Sequence, residues 1–306
     1  MSAQLGVSPI AWANDDMPEL GAETTVETIL AEAAKIGFAG VELGGRFPRD
    51  AAVLAPMLAR ERLALVGGWW SIHLLANSVE AEVEALQGHL GLLNALGSPV
   101  FIAAECTHAV HGDRTRAMSM RPRLQATDWG GFGARLSALA AYAAEQGLAF
   151  AYHFHLGTAV ENQDDLDRFL DATTDQVGLV VDTGHAALGG IDAVRLIRDH
   201  PQRVAHVHAK DVRGAVAERV RAEGRSFLDG VLDGMFTAPG DGDLDFDAVM
   251  GALAAIGYGG WIVEEAEQDP NRADPLAYGR LGFATLKEAA EAAGLVPAPA
   301  AMEPHR

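Results

Sequence analysis

A chain of 306 residues, 49% apolar and 21% charged, has the make-up of a globular protein with a large core, long for an ordinary domain but normal for one α/β barrel. Lys and Arg number 23 against 42 Asp and Glu, a formal net charge of -19, and that balance argues against a nucleic-acid partner, whose phosphates must be neutralised. No run reaches the ~18 apolar residues of a membrane span, the first residues carry no export signal, and Cys106 is the single cysteine, so a cytoplasmic setting without a disulfide or membrane is expected.

From the N-terminus, Leu5 to Ser8 reads as a strand and Thr25 to Ile36 as a helix closed by Gly37. Gly40 to Gly44 is a second strand, followed by a helix near Asp50 to Arg60. Leu63 to Trp69 and the long helix Val79 to Leu96 form a third pair, and Pro99 to Ala104 is a fourth strand. A helix from about Phe132 to Gln146 precedes the strand Ala149 to His153, and another lies around Asp164 to Ala172. Strands ending at Asp182 and Lys210 flank a helix near Ile191 to His200. The strand Gly260 to Glu264 and a helix from about Leu276 to Ala293 complete the series.

Roughly eight βα units point to a single-domain (β/α)8 barrel over residues 1–294. A doubly wound sheet is the second choice, without the Gly-x-Gly-x-x-Gly of its dinucleotide-binding form. Two long loops, Glu105 to Gly130 after the fourth strand and Val212 to Asp245 after the seventh, would lie over the mouth of the barrel. The Pro- and Ala-rich tail, 295–306, is expected to be disordered.

In a barrel, catalytic groups stand at the C-terminal ends of strands, on the inward face. Alternation puts His153 and His155 on one face of the fifth strand, Val180 and Asp182 on one face of the sixth, and Trp261, Val263 and Glu265 on one face of the eighth. On the seventh it pairs His206, His208 and Lys210, with Ala205, Val207 and Ala209 opposite. His153, Asp182, His208 and Glu265 would then make a mixed N/O site for a divalent metal ion. Such a set suits Mn, Co, Zn or Fe, with Mn or Co the first expectation, and Mg next to a purer oxygen shell.

Other signals carry less. Glu105 to His111 has no second cysteine pair for a structural zinc and reads as a solvated or substrate-gating loop. Asp241 to Asp247 begins like an EF-hand but lacks its glycine and final Glu, so Asp245 reads as a helix N-cap. Trp69-Trp70 could stack on a sugar or fill a barrel end.

Asp182-Thr183-Gly184-His185, His206 to Asp211 and Gly260 to Glu265 resemble the xylose isomerase-like, AP-endonuclease-type barrel superfamily. Trp12 to Gly21, Phe38 to Gly44 with Phe47 to Asp50, Val66 to Ser71, Tyr152 to Thr158, Ser226 to Asp229, Pro239 to Gly242 and Glu265 to Pro270 resemble, more narrowly, the inosose (2-keto-myo-inositol) dehydratases. The similarity runs from about Gly6 to Ala290. It implies metal positions at Asp182, His208 and Glu265, with His153 where the superfamily usually has Glu; Glu161 is the alternative fourth ligand. It also implies substrate-facing roles for His155, His185, Lys210 and Glu42, with His155 and His185 as the acid and base in an open order and Glu42 as a hydroxyl holder or alternative base. Asn14, Trp70 and His206 are expected polyol contacts. The implied reaction is loss of water from a cyclic polyol ketone through an enolate, by a protein whose homo-oligomeric state is open. A ketose epimerase or isomerase on the same scaffold is the alternative; a nuclease or a non-catalytic sugar-binding barrel are more distant ones.

Overall fold

The structure, a computed structural model, describes residues 2–296. The strands β1 (Gln4–Val7), β2 (Gly40–Leu43), β3 (Ala64–Ile72), β4 (Val100–Glu105), β5 (Ala149–His153), β6 (Val177–Asp182) and β7 (Val204–Ala209) come first. A separate antiparallel pair, β8 (Asp211–Val212) and β9 (Phe236–Thr237), precedes β10 (Trp261–Glu264). β1 to β7 and β10 pair in parallel and close into an eight-stranded barrel in the order β1-β10-β7-β6-β5-β4-β3-β2. The expected (β/α)8 architecture is the one observed. Among the described residues no helix is long and apolar enough to cross a membrane.

The helices are α1 (Val26–Ile36), α2 (Ala51–Glu61), α3 (Val79–Ala95), α4 (Trp129–Glu145), α5 (Gln163–Ala172), α6 (Thr183–Gly189), α7 (Ala193–Asp199), α8 (Gly214–Ala222), α9 (Phe227–Asp233), α10 (Phe246–Ala255) and α11 (Pro275–Ala292). Most start where a short polar side chain accepts an otherwise unpaired amide of the first turn: Thr25, Asp50, Ser78, Asp192 and Asp274 all do so. Asn162 and Asp165 cap α5 reciprocally. Asp245 caps α10, as its place in the sequence suggests. The helix α6 was not expected; it follows β6 without a loop because Asp182 is both the last strand residue and the cap that accepts His185 N–H. The second insertion holds α8, α9 and the β8–β9 pair.

Apolar side chains between strands and helices form the main core, among them Phe101, Phe150, Leu179 and Ile262, each worth roughly 1.5–3 kcal/mol when fully buried. A smaller cluster fills the barrel interior: Val100, Ile102, Ala151 and Val180, with Trp69 and Ala205 against them.

Two irregularities set which residues face inward. In β7 the register passes from Leu179↔Val204 to Val180↔His206, so Ala205 is an extra residue. It turns inward with His206, which corrects the simple alternation that placed Ala205 outside. In β3 the register passes from Val41↔Leu65 to Leu43↔Gly68, with Val66 and Gly67 facing one residue, Glu42. A Cβ on Gly67 would stand 2.9 Å from Ile102 Cδ1 and 3.2 Å from Glu42 Oε1, so glycine suits this crowded inward position. At the C-terminal end, Leu295 is buried and its carbonyl accepts Ala3 N–H at 2.9 Å. The remainder of the expected tail, 297–306, lies outside the described residues.

Candidate active site

Four side chains from neighbouring strand ends meet at the barrel mouth. Candidate ligand atoms of His153, Asp182, His208 and Glu265 lie within 4.8 Å of one another, and all four residues are buried. Asp182 Oδ2 is 3.5 Å from His153 Nε2 and 3.6 Å from His208 Nδ1, while His208 Nδ1 also touches Glu265 Oε2.

The far side of each group is fixed. His153 Nδ1–H donates to the Phe154 carbonyl at 2.7 Å and His208 Nε2–H to Glu42 Oε1 at 2.9 Å, so each ring turns a lone pair toward the cluster. Asp182 Oδ1 accepts His185 N–H at 2.7 Å. On the near side, Asp182 Oδ2, His208 Nδ1 and Glu265 Oε2 are buried and crowd against one another without a well-formed hydrogen bond. Buried donor atoms of this kind are costly unless something positive joins them. Burial opposes charge on His208, but the Glu42 and Glu265 carboxylates hold its imidazolium well above the ordinary range. The cluster therefore attracts either a proton or a metal ion, and its two imidazoles and two carboxylates are a fitting donor set for a divalent cation. Of the two candidates for the fourth ligand, His153 is in place. Glu161 is not: its carboxylate accepts Gly157 N–H at 2.7 Å and pairs with Arg121 at 3.3 Å.

His155, His185 and Glu267 form a second compact group. Lys210 already fills it, with Nζ 3.1 Å from His185 Nε2 and 3.3 Å from Glu267 Oε2. Burial works against the Lys210 charge, yet Glu265, Asp182 and Glu267 hold its ammonium above the ordinary lysine range. A second cation there would meet direct repulsion. Lys210 is fully buried behind Glu265 and pins that carboxylate at 3.1 Å, so it does not form the pocket wall.

His155 does form that wall. Its Nδ1–H donates to the Leu156 carbonyl at 2.7 Å, leaving Nε2 as a free lone pair. Burial, with His185 and His111 adding to it, holds the ring well below the usual imidazole range and so neutral. His185 stacks behind it, ring centroids 3.8 Å apart, with Nδ1 accepting Leu156 N–H at 3.2 Å. It is fully buried and off the wall.

Three expected polyol contacts are elsewhere. Trp70 points away from the pocket, its ring 5.2 Å from that of His89 on α3; the bulge in β3 brings Trp69 inward instead. Asn14 is buried and its Oδ1 accepts Asp16 N–H and Met17 N–H, so it shapes the turn that presents Asp15 and Asp16 to the pocket. His206 lies off the pocket wall and donates to Glu42 Oε1 at 2.8 Å. Glu42 thus receives two imidazoles. Burial would raise its carboxyl, but His208 and His206 hold it well below the ordinary range, which leaves it a poor base.

The pocket also recruits Ser71, Glu267 and, from the segment expected to be a solvated or substrate-gating loop, His111; none of the three was named as a site residue. Glu267 continues the period of Val263 and Glu265 past the strand end, a signal that was available. Burial pushes its carboxyl up to about 8.

A closed parallel barrel with four candidate cation donors gathered at its C-terminal mouth defines the class, and the chain belongs to the xylose isomerase-like TIM-barrel family, whose model matches residues 30–295. More particularly, it is 45% identical over 294 residues to the rhizopine catabolism protein MocC of Rhizobium meliloti, covering 96% of this chain and 90% of that one. It is 40% identical over 277 residues to the inosose dehydratase of Geobacillus thermodenitrificans, covering 90% and 93%. Among solved structures, an L-ribulose 3-epimerase superposes with a TM-score of 0.66 at 19% identity, over 99% of this chain and 100% of that one, a likeness of fold.

Proposed function

We propose that this protein is a metal-dependent hydro-lyase that removes water from 2-keto-myo-inositol in inositol-type catabolism, with Mn or Co as the resident ion, in the cytoplasm. The names of the relatives support the reaction and the substrate class. The observation that carries the metal dependence is the set of buried atoms on Asp182, His208 and Glu265 that crowd together without a well-formed hydrogen bond.

His153, Asp182, His208 and Glu265 would hold a divalent ion, which would supply Lewis acidity toward a ketone oxygen. The protein's own groups do the rest. His155, neutral and with Nε2 unoccupied, takes the proton beside the ketone; His185 supports its ring from behind. The electron pair released at that carbon shifts toward the ketone oxygen and then returns to expel the β-hydroxyl, which departs as water. Lys210 holds Glu265 and Glu267 in place, and Glu42 orients His208. Trp69 gives the wall an apolar face on which a ring can lie.

The test is to strip the protein of metal, reload it with Mn or Co, and follow dione absorbance with 2-keto-myo-inositol. Dione formed only by reloaded protein supports the reading. Rapid exchange of the α-proton without any dione would replace it with an epimerase, which shares the first step but returns the proton elsewhere.

A further inference from the structure

The departing hydroxyl needs a proton, and His185, fully buried off the wall, is badly placed to give it. One imidazole on the wall has no task so far: His111, in the long loop between β4 and α4. We propose that His111 is a further catalytic residue that protonates the departing β-hydroxyl of the polyol ketone, an assignment that rests on the dehydratase reading above.

The placement is ordered. Ring centroids run from His208 to His153 at 5.1 Å, to His155 at 5.4 Å and to His111 at 4.9 Å. Along that file come two cation ligands, then the base, then His111. The substrate presents its groups in the same order: ketone oxygen, α-carbon, β-hydroxyl. His111 Nδ1 is buried and without a partner, so the ring is not committed to a structural hydrogen bond there. Burial and His153 lower its proton affinity while the Asp16 carboxylate on the same wall raises it, so the charged ring is a minor form that gives up its proton readily once formed.

The loop is seated firmly enough to aim the ring. Val110 N–H donates to the Gly157 carbonyl at 2.8 Å. Gly157 has φ +80°, and a Cβ on it would stand 2.9 Å from His111 N, so this approach of two loops needs glycine. Further along, Arg121 pairs with Asp165 at 2.7 Å and with Glu161 at 3.3 Å.

In the step, the α-C–H bond breaks and its proton goes to His155 Nε2. The pair forms the enolate double bond, then drives cleavage of the β-C–O bond. The leaving oxygen takes a proton from the His111 imidazolium and departs as water. His155 returns its proton to solvent, His111 regains one, and no electrons are gained or lost overall. Glu267 is the rival donor: its Oε2 is engaged by the Lys210 ammonium but its Oε1 is without a partner, so Glu267→Gln is run beside the His111 variants.

The experiment uses full-length, Mn-loaded His111→Phe, which keeps ring volume, and His111→Gln, which keeps polarity without a transferable proton. Each is incubated with 2-keto-myo-inositol in D2O, reading dione formation and deuterium in the recovered ketone; thermal melts and calorimetric binding of the ketone check folding and the pocket. We expect dione formation to fall about 100-fold or more while deuterium incorporation stays within about threefold of wild type or rises above it. Unchanged dione formation, or an equal loss of both in folded, ketone-binding protein, overturns the assignment; so does the same split in Glu267→Gln but not in the His111 variants. Wild-type protein that exchanges but forms no dione refutes the dehydratase reading itself, and His111 as leaving-group donor with it.

Discussion

Asp211 offers the sharpest test of how the roof over the site is held. Its buried carboxylate accepts four backbone amides: Oδ1 takes Val212 at 2.8 Å and Leu244 at 3.0 Å, and Oδ2 takes Gly240 and Gly242, each at 3.0 Å. Asp211→Asn keeps the shape but replaces one oxygen by an NH2, so two amides lose their acceptor and face a donor. Hydrogen bonds to a charged group are worth about 1.5–3 kcal/mol each, which puts the loss at roughly 3–6 kcal/mol. With an unfolding entropy near 2.1 cal/mol/K per residue, about 0.6 kcal/mol/K for this chain, Tm should fall by roughly 5–10 °C. Calorimetry measures that fall, and hydrogen exchange should show the amides of Gly240, Gly242 and Leu244 losing protection. Activity should decline as well, because the β8–β9 pair carries Phe236, whose ring is 5.2 Å from that of His185 and 4.6 Å from Lys210 Nζ. A Tm drop below about 2 °C with those amides still protected would refute the reasoning.

Two further outcomes can be stated. Glu42→Gln should weaken metal binding about 10–100-fold, read by competition with a chromogenic chelator, because the partner that orients His208 loses its charge; unchanged affinity would remove Glu42 from that role. His89, between α3 and β3, is pushed down to about 4 by burial, so the unfolded chain takes up its proton first as pH falls. Its contribution, about 3 kcal/mol, is complete above the ordinary imidazole value of 6.5 and is lost as pH drops through 4. Urea denaturation at several pH values should show this slope, and His89→Gln should flatten it; an equal slope in the variant would sink the attribution.

The barrel was legible because each βα unit writes its own boundaries: apolar runs for the strands, and caps such as Asp50, Ser78 and Asp245 for the helices. The candidate cation donors were legible for the same reason, since Asp182 and His208 sit where period-2 strands end. What escaped depended on contacts between distant segments. Trp70 and Trp69 are equivalent as letters, and only the register of β3 against β2 decides between them. Asn14 Oδ1 accepts two turn amides while its buried Nδ2 has no partner, and a polar residue in a loop carries no mark of either in the sequence. His111 lies in a segment without periodicity, so its approach to His155 required the fold.

The bulges in β3 and β7 have a consequence for how this site can change. Each inserts a half-step of rotation below the tier that carries function, with Trp69 and Ser71 above one and His206 and His208 above the other. The floor of the cylinder and its working rim are therefore out of phase by construction. Substitutions at Val66, Gly67 or Ala205 act on the kink itself, and through it on the facing of every residue above.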